Sequence, residues 1–251
     1  MNSDFWKNRN VLITGHTGFK GGWLTLILSE LGANIFGFSK APISFYNETK
    51  LSNKLSLSTF ADIRDKSDVK KFLEISKPSI IFHLAAQSLV LRSYEDPYET
   101  YSSNVLGTLN LLECIRESDY KPDVLVNVTS DKCYRNDGKG ENFKESDALG
   151  GQDPYSSSKA CSEIITNAYR ESFFRSQTRI ATVRAGNVIG GGDWSDNRLI
   201  PDLLRSLDSG EPAKIRYPKS IRPWQHVLEP LTGYLEVAYK NYTYSNFEGA
   251  W

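Results

Sequence analysis

Along the chain, short apolar runs alternate with longer stretches whose apolar residues fall at helical spacing. Val11 to Thr14 is a β-rich run that meets glycines at once, and Gly22 to Leu31 then repeats apolar residues three and four apart. Strand, turn and helix follow from that order. Asn34 to Phe38 reads as a second buried strand. Asp65 is placed to cap a helix running to Ser76, and Pro78 stops it. Ser79 to Leu84 is then a continuous apolar run, as a parallel strand covered on both faces requires. Pro97 to Ser118 is expected to be helical, Asp123 to Thr129 a strand, Pro154 to Phe174 a long helix and Arg179 to Ala185 another strand. Such alternation predicts right-handed βαβ units and an α/β fold built on a doubly wound parallel sheet.

After Gly186 the rhythm breaks into Gly-rich and Pro-rich segments, where a smaller substrate lobe belongs. Helical spacing returns from Leu228 to Lys240, and the chain then stops abruptly at Glu248-Gly249-Ala250-Trp251. The expected division is a dinucleotide-binding domain over 1–186 and a partial, apparently truncated substrate lobe over 187–251. The second part has room for elements that return to the core.

Composition narrows the functional classes. The 251 residues are 39% apolar and 24% charged, ordinary for a globular protein. Thirty Lys and Arg against thirty Asp and Glu leave no net charge to hold a nucleic acid. Cys114, Cys133 and Cys161, like His16, His83 and His226, are scattered without the short spacings of a metal site or redox dithiol, so no metal is expected. Met1 to Asn10 lacks the profile of a signal peptide, and no apolar run approaches a membrane span. A cytoplasmic protein with reduced thiols is the expectation.

Candidate chemistry begins at Thr14-Gly15-His16-Thr17-Gly18-Phe19-Lys20-Gly21, between the first strand and the first helix. Gly15 permits a tight turn, Gly18 lets backbone N–H groups approach a pyrophosphate, and Gly21 allows close helix packing at an anion-favouring helix end. Tyr155 and Lys159, four apart at the start of a helix, project from one face. There an ammonium is expected to draw the phenol's pKa down toward neutrality, making Tyr155 a base for a hydroxyl. Ser130, Asp131 and Lys132 follow a strand's carboxyl end, where open α/β sheets place ligand contacts.

The glycine spacing, with Tyr155 and Lys159, resembles the TGxxGxxG and YxxxK patterns of extended short-chain dehydrogenases/reductases, the NAD-dependent epimerase/dehydratase family. The strings GHTGFKGGWL, HLAAQSLV, SDKCY, RAGNVIGGGDW and IRPWQHVLEPL resemble its nucleotide-sugar 4,6-dehydratases, and the CDP-glucose branch most. The resemblance implies a Rossmann domain with NAD as cofactor, held by Gly15, Thr17, Gly18, Phe19, Gly21, Asp62, Ile63, Ala85, Ala86 and Gln87 together with Tyr155 and Lys159. It implies Ser130 as the hydroxyl beside the oxidised oxygen and Asp131 as proton donor to a departing C6 hydroxyl. Asn187, Arg222, Trp224 and His226 would contact a CDP-glucose-type substrate, Arg222 as a guanidinium fork for phosphate.

Lys132 stands where related dehydratases carry a glutamate, and its role stays open. Phe38-Ser39-Lys40 lacks the ribose-binding acid expected after the second strand, which leaves NAD against NADP open at that position. A homodimer or dimer of dimers through the helices 97–118 and 154–174 is also implied, as is deoxysugar supply for surface polysaccharide. A 4-epimerase or other reductase of the superfamily, and a non-catalytic NAD-binding remnant, are the competing readings.

Overall fold

The computed structural model describes residues 3–138, 140, 142–174 and 177–251. β1 (Asn10–Thr14) is followed by α1 (Phe19–Glu30) and β2 (Asn34–Ser39). α1 starts three residues before its apolar spacing becomes visible, because the stretch from Gly18 to Gly22 offers few side chains to display a period. The short α2 (Ser44–Glu48) and the strand β3 (Leu57–Phe60) were not anticipated; β3 is half-exposed and lacks an apolar run. α3 (Lys66–Ser76) starts where expected, with the Asp65 carboxylate accepting from the N–H groups of Ser67 and Asp68.

β4 (Ile80–His83) leads to α4 (Val90–Glu95) and then to a helix interrupted by a π turn. The interrupted helix comprises α5 (Pro97–Tyr101), the π turn Ser102–Leu106 and α6 (Gly107–Glu117). β5 (Val124–Val128) precedes α7 (Pro154–Tyr169), which has Asp153 as cap and Pro154 in its first turn and ends in a second π turn, Arg170–Phe174. After β6 (Arg179–Val183) come β7 (Asn187–Ile189), α8 (Leu199–Ser209), β8 (Trp224–His226), α9 (Leu228–Thr243) and β9 (Gly249–Ala250).

Seven strands form one sheet in the order β3-β2-β1-β4-β5-β6-β9, every neighbouring pair parallel. This is the doubly wound arrangement, with the order reversing between β1 and β4, where such sheets open a crevice for ligands. Alternate residues of each strand serve opposite faces. Val11, Ile13, Ile80, Phe82, Val124 and Val126 pack with Leu24 and Leu28 of α1 and Leu231 and Leu235 of α9. Leu12, Ile81, Leu125 and Ile180 pack on the other face with Val69 and Phe72 of α3 and Leu111 and Ile115 of α6.

α9 is therefore a core helix although it follows the irregular segment. The terminal residues are also sheet: Gly249 and Ala250 pair with Ala181 and Thr182, and Trp251 N donates to the Thr182 carbonyl at 3.0 Å. A Gly-Ala pair carries no apolar alternation, so the pattern reading finds no strand there. β7 and β8 form a separate two-stranded parallel ribbon with Asn187 opposite Trp224.

Candidate active site

The glycine turn is built backbone on backbone. Gly15 has φ +77°, and a Cβ there would meet the Ala85 amide nitrogen at 2.8 Å. At Gly21 a Cβ would lie 2.1 Å from the Gly15 carbonyl oxygen. Gly18 N donates to Gly15 O at 3.1 Å, and Gly22 N to Gly18 O at 2.7 Å opens the α1 ladder. Gly18 caps α1 with no side chain, so the first N–H groups and the positive end of the helix dipole face the crevice. A cradle that admits no Cβ, at a helix N-terminus, fits a dinucleotide's pyrophosphate. Thr17 ties the turn to the end of β2 through Ser39 (Oγ1 to Oγ, 2.7 Å), and Phe19 is buried in the core.

At the far end of the turn, Lys40 is paired with two acids remote in sequence, Asp62 at 3.3 Å and Glu99 at 3.6 Å. The Asp62 carboxylate also accepts from Arg64 Nε at 3.0 Å and from its own loop through Arg64 N at 2.9 Å. Burial works to raise the Asp62 pKa, but the Arg64 hydrogen bonds and the Lys40 charge hold it at about 2. Ile63 is buried against Gly107, where a Cβ would meet its Cγ2 at 2.6 Å.

A relay runs beneath the turn. Thr14 Oγ1 accepts from Ala85 N at 3.2 Å and lies 2.7 Å from His83 Nδ1, while His83 Nε2 lies 3.1 Å from Thr108 Oγ1. Thr108 donates its hydroxyl proton to the Asn104 carbonyl, so the imidazole is assigned with its proton on Nε2. Burial, followed by the Lys159 charge, lowers the His83 pKa to about 3. Ala85, Ala86 and Gln87 are half-buried where this relay meets the crevice. Asn104, in the π turn, receives Gln87 N at 2.8 Å and donates to Gln87 O at 3.0 Å.

The catalytic candidates meet at the end of β5. Ser130 donates to Asp131 Oδ1 at 3.1 Å and accepts from Lys132 N at 3.2 Å, and it stands beside Tyr155 closely enough to lower that phenol's pKa. Lys132 Nζ donates to Asp131 Oδ1 at 3.0 Å and to Asn187 Oδ1 at 3.2 Å, which brings one predicted substrate contact to the catalytic loop. Tyr155 and Lys159 are both buried, and Lys159 Nζ donates to the Val128 carbonyl at 3.2 Å.

The electrostatics differ from the sequence expectation. Burial raises the Tyr155 pKa above its ordinary value, the Ser130 hydrogen bond and the Arg198 charge opposing it only in part. Burial also lowers Lys159 to about 8, with Glu163 working against that. Spacing along a helix reveals the pair, whereas desolvation depends on everything packed over it.

The expected phosphate clamp is not assembled. Arg222, just before β8, and Trp224 and His226 on it are all exposed, and His226 Nδ1 accepts from Leu228 N at 3.3 Å.

Several charged groups of the site escape the motif reading. Glu163, one turn beyond Lys159, forms a buried ion pair with Arg184 at 2.8 Å and accepts from Thr129 and Thr182. Arg198 pairs with Asp193 at 2.6 Å and acts electrostatically on Tyr155. Lys20 and Tyr234 meet at 3.4 Å. For Lys20 a signal was present: a cation in the first turn of a helix opposes the dipole, which calls for a reason.

The chain matches the model of the NAD dependent epimerase/dehydratase family over residues 11–244. It is 48% identical over 252 residues to the CDP-glucose 4,6-dehydratase of Salmonella typhimurium, covering 97% of this chain and 70% of that enzyme. Among solved structures, the epimerase Mth375 of Methanothermobacter thermautotrophicus superposes with a TM-score of 0.85 at 22% identity, over 99% of this chain and 72% of that one. A DesIV double mutant (dTDP-glucose 4,6-dehydratase) of Streptomyces venezuelae, solved with NAD bound, gives 0.81 at 22% identity, over 96% and 74%.

Proposed function

The chain belongs to the NAD-dependent epimerase/dehydratase family, and from that premise we propose that it is a nucleotide-sugar 4,6-dehydratase acting on CDP-glucose. The observation that carries this reading is that the end of β5 brings together the phenol suited to oxidation, Tyr155, and the carboxylate suited to elimination, Asp131, with Ser130 donating to the carboxylate and acting on the phenol. Two chemical steps at adjacent sugar carbons need such a junction.

NAD, when bound, supplies the acceptor for the C4 hydride and returns that hydride at C6. Ser130 and Tyr155 hold the C4 hydroxyl, and Tyr155 takes its proton with the Lys159 ammonium stabilising the phenolate. The Asp131–Lys132 pair handles the elimination: with the proton between them moved to Asp131, the neutral Lys132 amine takes the C5 proton and Asp131 protonates the C6 oxygen, which departs as water. Asn187 steadies Lys132 through its amide oxygen.

Residues 1–186 are assigned to cofactor binding and 187–251 to the substrate, with α9 packed into the core. Arg222, Trp224 and His226 are assigned to the substrate's phosphates and base. A homodimer is proposed through α5, the π turn, α6 and α7, which leave Tyr98, Leu106 and Ile164 exposed. A reducing compartment, the cytoplasm, suits the three free cysteines. No helix among the described residues is long and apolar enough to cross a membrane.

The test is incubation with NAD and, separately, CDP-glucose, dTDP-glucose and GDP-mannose, reading the alkaline absorbance of a 4-keto-6-deoxy product. Product from CDP-glucose in preference to the others supports the assignment. Product from none of them removes it.

A further inference from the structure

Among the described residues, Lys20 is a cation at the centre of the site with no ion-pair partner. It is the second residue of α1, two positions beyond the Gly18 cap, and so belongs to the positive end of that helix. Its ammonium lies 3.4 Å from the Tyr234 hydroxyl and 5.7 Å from that ring's centroid. Tyr234 is itself buried, on α9. Among the described residues no carboxylate comes within 4.0 Å of Lys20 Nζ. The other cations nearby do have partners: Lys132 has Asp131, Arg198 has Asp193, and Lys159 has the Val128 carbonyl and the field of Glu163.

Desolvation, followed by the repulsion of Lys159, Arg198 and Lys132, lowers the Lys20 pKa to about 7, with Asp131 alone among the nearby charges pulling upward. A desolvated ammonium among cations, at a helix end that already favours negative charge, is unfavourable until an anion arrives.

We propose that Lys20, positioned by Tyr234, is a diphosphate-binding residue that completes the glycine cradle with a charge-assisted hydrogen bond. The proposal rests on the dehydratase reading, because both of that reaction's ligands, the dinucleotide and the sugar nucleotide, carry a diphosphate. Bound diphosphate raises the Lys20 pKa, so the added affinity is full below about pH 7. It is lost as pH rises through the higher, ligand-bound value.

The test is calorimetric binding of NAD+ and of CDP to the whole chain between pH 6 and 9, in the wild type and in Lys20→Met, Lys20→Arg and Tyr234→Phe. Lys20→Met is expected to weaken one ligand about tenfold at pH 6.5 and to flatten its pH dependence. Lys20→Arg, which stays charged, should bind that ligand at pH 8.5 as tightly as the wild type does at pH 6.5. Tyr234→Phe should weaken the same ligand by a smaller factor. Loss confined to NAD+ assigns the contact to the dinucleotide, and loss confined to CDP assigns it to the sugar nucleotide. Unchanged affinity for both in Lys20→Met, with the wild type binding normally, overturns the proposal, as does a wild-type pH profile that Lys20→Arg leaves unaltered. A wild type that binds neither ligand removes the dehydratase reading as well.

Discussion

At the end of β5, Tyr155 and Asp131 make contributions that are separable by single substitutions. Asp131→Asn keeps the size of the side chain but loses the acid. It should cut formation of 4-keto-6-deoxy product by about 10²–10⁴-fold, the usual weight of a general acid. Oxidation at C4 does not need the carboxyl, so a burst of reduced cofactor at 340 nm should remain. An epimerase would keep its turnover in the same variant. Buried imidazoles set the acid sensitivity. Native His83 and His16 stay neutral down to about 3 and about 4, whereas in the unfolded chain a histidine takes up its proton near 6.5. The unfolded state thus binds more protons below pH 6.5, and stability falls with pH there by about 1.4 kcal/mol per unit for each histidine. Urea midpoints measured from pH 7 to pH 4.5 should drop steeply in the wild type. In His83→Gln they should drop with roughly half that slope.

Elements are held in register by close approaches that no single element explains. Gly21 in α1 touches the Gly15 carbonyl so tightly that Gly21→Ala must push the helix off the turn. Calorimetry should find no measurable NAD+ binding in that variant, and its melting temperature should fall. α7 is joined to the residue that follows β6 by the Glu163–Arg184 pair, both side chains about 5% exposed or less. Removing one member of a buried pair leaves the other charge uncompensated, at a cost of about 3–5 kcal/mol. Glu163→Gln should therefore lose stability on that scale in urea unfolding. It should also shift the alkaline limb of the activity profile downward, because Glu163 supports the charge on Lys159.

At the scale of the whole molecule, Tyr98 and Leu106 on the interrupted helix and Ile164 on α7 lie on the surface of the isolated chain. Burying such side chains is favourable by about 25 cal/mol per Å², so a second copy is the expected cover. Light scattering should report a dimer for the wild type, and Leu106→Arg should shift it toward the monomer while leaving secondary structure intact.

The alternation of buried strands with amphipathic helices, the glycine turn, the cap at Asp65 and the four-residue step from Tyr155 to Lys159 were all legible in the chain. Each depends on residues close together in sequence, through backbone period or local hydrogen bonding. The interrupted helix was legible only as a helix, since the π turn follows from Asn104 reaching Gln87 and Ser158 across the fold. β3 and β9 were invisible because an edge strand's pairing comes from its neighbour. Tertiary structure alone decided which acids answer Lys40, that burial raises the Tyr155 pKa against the opposing influence of Ser130 and Arg198, and that Lys20 has no ion-pair partner among the described residues. Desolvation and long-range charge are sums over every group packed around a site, and groups brought together by folding leave no spacing in the sequence by which to find them.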